Sequence, residues 1–335
     1  MSTKSITVLQ SFPEPRPTTN PYIVMLKESL EQTDGIELMT FSWKNALFGH
    51  YDVFHAHWPE ILVNGHSPAK KLARQAMSLA FFVRLMATRT PVVRSLHNLE
   101  RPSGITRRED FLLGVFERMT DLVVLINPVG DAPKGTRSVR ILHGHYREWY
   151  AKFAESQAAS VPGQIGYTGL IRRYKGVEDL VVAFRGLTTK PASLRIGGRP
   201  STDEQKAEIE AAAAADERIS TTLRFLTDEE LVEAIRTSEV VVLPYRHMHN
   251  SGSALAALSL DRPVLVPDNE ANRALSDEMG PGWVMTFTDE LTTDDLERAL
   301  AAAQDPSLRR ARPDMSQREW DSCGIALREA YRQLL

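Results

Sequence analysis

The run LPYRHMHNSGSALAALSLDRPVLVP, from Leu243 to Pro267, sets an apolar strand, a loop carrying Asn250, Ser251, Gly252 and Ser253, an alanine-rich helix and a second strand in succession. A helix start offers free backbone N–H groups and the positive end of the helix dipole, a serine caps it, and a glycine lets a phosphate reach the backbone. An ordinary serine cap without a ligand would use the same residues. A second run, GYTGLIRRYKGVEDLVVAF, places Gly169 after a strand and Lys175 with Gly176 at another helix start, with Arg172 and Arg173 between them. Fixed cations there suit a diphosphate, and a solvated basic turn is the plainer alternative. A third run, DVFHAHWPE, ends a strand in His55, His57, Trp58 and Glu60. His55 and His57 alternate and so share a face, offering ionisable groups beside an aromatic platform. The competing reading makes one of them a hydrogen-bonded core residue. RSLHNLERP brings His97 to another strand end, and ILHGHY brings His143 and His145 near a domain junction, where packing is the better account.

The elements that must position these residues form a repeating pattern. SITVLQ, IELMTF, DVFHAH, PVVRSL, DLVVLI and SVRIL read as strands, with YIVMLKESLEQ, PAKKLARQAMSLAFFVRLMA and REDFLLGVFERM as helices among them. Such alternation predicts a mainly parallel sheet covered on both faces. YAKFAESQAASVPGQ then interrupts it as a linker, and IGYTGL, SLRIG, RISTTLRF, EVVVLP and RPVLVP restart it with helices between. The expected fold is therefore α/β, with two doubly wound Rossmann-like domains facing across a cleft. Residues 1–150 form the first domain, 151–163 the linker, 164–315 the second domain, and 316–335 a last helix that packs on either. The strand ends of such sheets are where ligands bind.

Composition narrows the function. A net charge of −3 gives no whole-chain reason to bind nucleic acid. One cysteine, Cys323, suits a reducing compartment. No apolar run has the length of a signal peptide or a spanning helix, so the reading is cytoplasmic, with the inner face of a membrane open to it. SFPEPRPTTNPY, after the first strand, contains no glycine, which argues against a dinucleotide fingerprint. Walker, His-Glu-x-x-His and paired-cysteine metal motifs are missing, so neither a cofactor nor a metal is expected.

Taken in order, the strand-Gly-x5-Lys-Gly-helix unit, RIGGRP, FLTDEELVEAIRTSEVVVLPY, the small-residue helix start and RPVLVPD make the chain resemble the GT-B glycosyltransferases that use nucleotide-diphosphate sugars. The resemblance spans nearly the whole chain. It implies that Lys175 contacts the donor diphosphate, that the amides of Ser251 to Ser253 do likewise, and that His97 contacts the donor sugar or its phosphate. The glutamate pair usual in retaining members is replaced by Met248 or His249 and Ala256 or Ala257, and Leu170 stands where an arginine is common, leaving Arg172 or Arg173 to supply that charge. This resembles some β-mannosyltransferases of bacterial exopolysaccharide synthesis. It implies an inverting, metal-independent transfer from GDP-mannose to a glycan or polyprenyl-linked acceptor. Inversion needs a base for the acceptor hydroxyl, and the candidates are Glu60 and then His57. Retention with a UDP-sugar and a non-catalytic sugar-nucleotide module are the alternatives.

The stretch over residues 68–89 adds Lys70, Lys71, Arg74, Arg84 and Arg89 to a broad apolar surface that includes Leu79, Phe81, Phe82 and Leu85. A basic amphipathic helix can lie on an anionic membrane; a sheet-covering helix with a charged outer face needs the same residues.

Overall fold

The computed structural model describes residues 5–65, 67–98, 101–102, 104–153, 159–246, 248 and 252–335. The chain divides into two compact units, Met1–Gly144 with Gln317–Leu335, and His145–Ser316. The first holds β1 (Ile6–Gln10), α1 (Pro21–Gln32), β2 (Ile36–Met39), α2 (Trp43–Phe48), β3 (Val53–Ala56), α3 (Glu60–Val63), α4 (Pro68–Thr88), β4 (Val92–Leu96), α5 (Arg107–Met119), β5 (Leu122–Leu125) and β6 (Arg137–Arg140). Its strands run β2-β1-β3-β4-β5-β6, all parallel. Strand order therefore reverses between β1 and β3, the point at which a doubly wound sheet opens a crevice beyond its carboxyl ends.

The second unit holds α6 (Arg147–Ala151), β7 (Gln164–Thr168), α7 (Val177–Arg185), β8 (Ser193–Gly197), α8 (Asp203–Ala214), β9 (Ile219–Thr222), α9 (Asp228–Thr237), β10 (Val240–Val242), α10 (Gly252–Ser259), β11 (Val264–Pro267), α11 (Glu270–Met279), β12 (Val284–Phe287), α12 (Thr293–Ala303) and α13 (Pro306–Arg310). Its parallel order is β12-β11-β10-β7-β8-β9, with the reversal between β7 and β10. β12 adds a sixth strand to the five read from sequence; it is an edge strand whose run VMTF has two half-buried positions in its middle.

Packing explains the local choices. In the first unit Phe54, Phe81, Phe82 and Phe116 share one core, with Phe54 edge-on to Phe81 at 4.8 Å. Phe81, Phe82 and Leu85 therefore fix α4 to the sheet, whereas Leu72, Leu79, Val83 and Met86 are exposed along its outer side. Lys71 reaches the buried carboxylate of Glu109 at 2.7 Å, tying α4 to α5. Burial would raise the Glu109 carboxyl, but the bonds from Lys71 and Thr106 outweigh it and hold it down. The last helix, α14 (Trp320–Arg332), lies on α1: Ser29 donates to the Trp320 carbonyl at 2.6 Å. Gly324 makes that crossing possible, because a β-carbon there would stand 2.2 Å from Thr33 Oγ1. In the second unit, a β-carbon on Gly198 would stand 1.8 Å from the Gly169 carbonyl. The Gly-Gly of RIGGRP thus lets the turn after β8 press on the loop after β7.

Candidate functional site

In the second unit, the residues expected to meet a diphosphate stand on both sides of the β7/β10 reversal. Gly169 follows β7, and Lys175 ends the short 3-10 turn Arg173–Lys175 ahead of α7. Gly252 and Ser253 open α10 beyond β10. Ser253 Oγ lies 3.0 Å, and Lys175 Nζ 3.8 Å, from where a β-carbon of Gly169 would be. A hydroxyl, an ammonium and a bare backbone therefore converge at one helix start. Lys175 is aimed by Tyr245, donating to its hydroxyl at 3.2 Å and lying 4.7 Å from its ring centroid. Thr168, at the end of β7, has a buried Oγ1 with no hydrogen-bond partner among the described residues, a polar atom that sequence gave no reason to single out. The nearest atom to a β-carbon on Gly252 would be Tyr146 Oη, at 3.4 Å. Arg172 is half-buried and donates to the Ile171 carbonyl. Arg173 is exposed and held by Glu208 of α8 at 2.9 and 3.0 Å. Asn250 and Ser251 lie outside the described residues.

In the first unit, the candidate residues gather at the β1/β3 reversal. β1 pairs with β3 so that Gln10 stands beside His55, and the chain leaves β3 through His57, Trp58 and Glu60. His55 Nδ1 lies 2.7 Å from Tyr331 Oη of α14, and its Nε2 lies 2.9 Å from Ser95 Oγ. Gln10 Nε2 donates to Tyr331 Oη at 3.4 Å, while Gln10 Oε1 is 3.0 Å from His57 Nε2. His57 Nδ1 is 3.3 Å from His97 Nε2. With the Gln10 amide so placed, His57 donates from Nε2 to Gln10 and accepts at Nδ1 from His97. His55 fits in either tautomer: it accepts from Tyr331 and donates to Ser95, or donates to Tyr331 and accepts from Ser95. His97, donating from Nε2, keeps its lone pair on Nδ1.

These histidines are neutral near pH 7. Burial, then the charge of His97, lowers His55 to about 3. Burial, then His55, lowers His57 well below its usual value; burial, then His57, His143 and Arg94, does the same to His97. His143, packed 4.5 Å from the Tyr22 ring, is lowered to about 4, chiefly by burial. His97 is half-buried and stacks on Trp58 with ring centroids 4.0 Å apart.

His57 is 2% exposed with both ring nitrogens engaged, so its proton traffic runs inward. Glu60 differs: it begins α3, is half-buried, and its Oε2 is buried with no hydrogen-bond partner among the described residues. A carboxylate oxygen kept from water without a donor is costly, and a substrate hydroxyl is one group that could relieve it. No group of three or more His, Cys, Asp or Glu among the described residues is placed to hold a metal ion.

Residues 162–304 match the family model described as glycosyl transferases group 1. Across 98% of this chain and 93% of the relative, the sequence is 41% identical to the GDP-mannose:glycolipid 4-beta-D-mannosyltransferase of Xanthomonas campestris pv. campestris. Among solved structures, sucrose-phosphate synthase from Thermosynechococcus elongatus superposes with a TM-score of 0.65 at 14% identity, over 98% of this chain and 99% of that one. The catalytic domain of starch synthase IV from Arabidopsis thaliana, bound to ADP and acarbose, gives 0.66 at 10% identity, over 99% of each chain.

Proposed function

The chain belongs to the group 1 glycosyl transferases, enzymes on two Rossmann-like domains of the GT-B type, and on that footing we propose that its donor is GDP-mannose and its acceptor a glycolipid. The observation that carries this reading is identity to the Xanthomonas mannosyltransferase along almost the entire chain rather than in the second unit alone. The mannosyl bond in GDP-mannose is α, so a β product requires inversion by a single displacement. One base takes the acceptor proton while the GDP diphosphate leaves. Glu60 is that base. Lys175, Ser253 and the start of α10 meet the departing charge without a metal, as a preorganised cation and dipole do. His97 offers its Nδ1 to the donor.

The test is calorimetric titration with GDP and with UDP, followed by linkage analysis of the product. GDP should bind in the presence of a chelator, UDP should bind more weakly, and the new linkage should be β. Lys175→Met should fold normally and lower turnover by about 10² or more, because the lost charge acts most strongly as the diphosphate leaves. Preference for UDP with an α product would replace this reading by a retaining one.

With a lipid-linked acceptor, such as the precursor of an exopolysaccharide repeat, the proposed site of action is the inner face of a membrane. No helix among the described residues is long and apolar enough to cross one. We assign the contact instead to α4, where exposed Leu72, Leu79, Val83 and Met86 form a stripe and Lys70 is exposed near the helix start, while Arg74 and Arg84 are held by the Ile61, Asn64 and Gly49 carbonyls. Replacing Leu79 and Val83 by Asp should leave GDP binding intact and reduce co-sedimentation with phosphatidylglycerol vesicles by about tenfold, the effect of about 1.4 kcal/mol. Unchanged sedimentation would remove α4 from the membrane.

A further inference from the structure

The second unit has a cavity of about 630 Å³ whose lining includes Arg147, Arg236, Arg262, Arg312, Glu148 and Asp261. It lies at the opposite end of the sheet from Lys175 and Ser253: Arg236 precedes β10, and Asp261 and Arg262 precede β11. Four guanidiniums face two carboxylates, so the cavity carries net positive charge.

Asp261 serves as the internal counter-ion. Its carboxylate is shared between Arg147, 3.5 Å from Oδ1, and Arg312, 3.2 Å from Oδ2. Its backbone is left-handed, with φ 56°, a conformation that costs energy in a residue other than glycine and that Asp and Asn tolerate best. Arg147 gives one further bond to the Pro313 carbonyl, at 2.9 Å, while its Nε is buried with no hydrogen-bond partner among the described residues. Arg262 is pinned by its Nε to the Arg236 carbonyl at 2.9 Å. Burial lowers the pKa of Arg262; Asp261 and Glu239 oppose this, while Arg236 and Arg309 add to it. One aspartate is thus shared by two of the cavity's arginines.

We propose that this cavity is a second anion site, which takes a phosphate or diphosphate group into the fork formed by Arg147, Arg262 and Arg312, displacing Asp261 from its two arginines. Planar guanidiniums hold such groups by paired N–H bonds, and the unpartnered Nε of Arg147 supplies one of them. The same chemistry belongs to a soluble phosphorylated compound and to a phospholipid headgroup.

Two variants separate a binding role from a packing one. Asp261→Asn keeps the left-handed backbone and removes the competing charge, so it should tighten binding about tenfold. Arg312→Gln alters a side chain that is 73% exposed and held by one ion pair, and should weaken binding about tenfold. The measurement is titration of inorganic pyrophosphate into the full chain, in excess GDP to fill the donor loops, with melting curves for each variant. A parallel arm uses phosphatidylglycerol vesicles and a Leu79→Asp, Val83→Asp background, so that α4 does not contribute. Pyrophosphate binding with this order of affinities identifies a soluble phosphate ligand. Vesicle binding alone, with the same order, identifies a headgroup. If neither probe binds, or if both variants bind like the parent, the site does not exist.

Discussion

Glu60→Gln should lower turnover by about 10² to 10⁴ while leaving GDP affinity and the melting temperature close to those of the parent. That range is what a positioned general base contributes to a proton transfer. The substitution is nearly isosteric, and the residues assigned to the diphosphate, Lys175 and Ser253, belong to the second unit, so GDP affinity should not change. The Glu60 Oε2 atom is buried without a donor in the free protein, and an amide there removes the lone pairs that would accept the acceptor's proton. Turnover and GDP binding measured on the same preparation decide the matter. Turnover within a few-fold of the parent would mean that the proton leaves by another route. His57→Gln provides the contrast: it breaks bonds to Gln10 and His97 in a buried network, so its first effect should be on stability.

The second large effect is on stability in mild acid. Four histidines, His55, His57, His97 and His143, have their folded pKa values lowered, chiefly by burial, from an unfolded value near 6.5. Below that value the unfolded chain binds protons that the folded chain refuses, so stability falls as pH falls, until the folded pKa values are reached. Each histidine contributes about 1 kcal/mol of loss between pH 7 and 5.5, and together they remove several kcal/mol, a sizeable share of the stability of many domains. Glu109 and Glu117, whose pKa values are lowered from 4.5, lose their contribution only in stronger acid, so this window isolates the histidines. Urea unfolding at the two pH values measures the difference. A change under 1 kcal/mol would show that the cluster takes up protons while folded.

The alternation of β-branched runs and amphipathic helices made both sheets legible in the sequence. The spacing Gly169 to Lys175, and the small residues at 252 and 253, marked where the second unit would bring polar groups together. What could not be read was contact between residues remote in the chain. Nothing local in DVFHAHWPE says that His55 will meet a tyrosine 276 positions later, or that Gln10 will orient His57. Similarly, Arg173 and Lys175 look alike in RRYK, and only the position of α8 gives Arg173 to Glu208 and leaves Lys175 to Tyr245. β12 was missed because VMTF buries only Val284 and Phe287, with a half-buried Met285 and Thr286 between them, and so lacks the continuous apolar run of β5 or β10.

Because α14 belongs to the first unit, the order of synthesis and the order of completion differ. The sheet made first lacks Tyr331, and the Ser29 and Thr33 side of α1 lacks its cover, until the whole stretch from His145 to Ser316 has left the ribosome. At usual elongation rates that interval is roughly 10 to 40 s, long compared with the folding of most domains. The second unit, continuous in sequence, can close during that time. Through that interval the face of α1 that α14 covers, with Ser29 and Thr33 on it, stays open in the nascent chain.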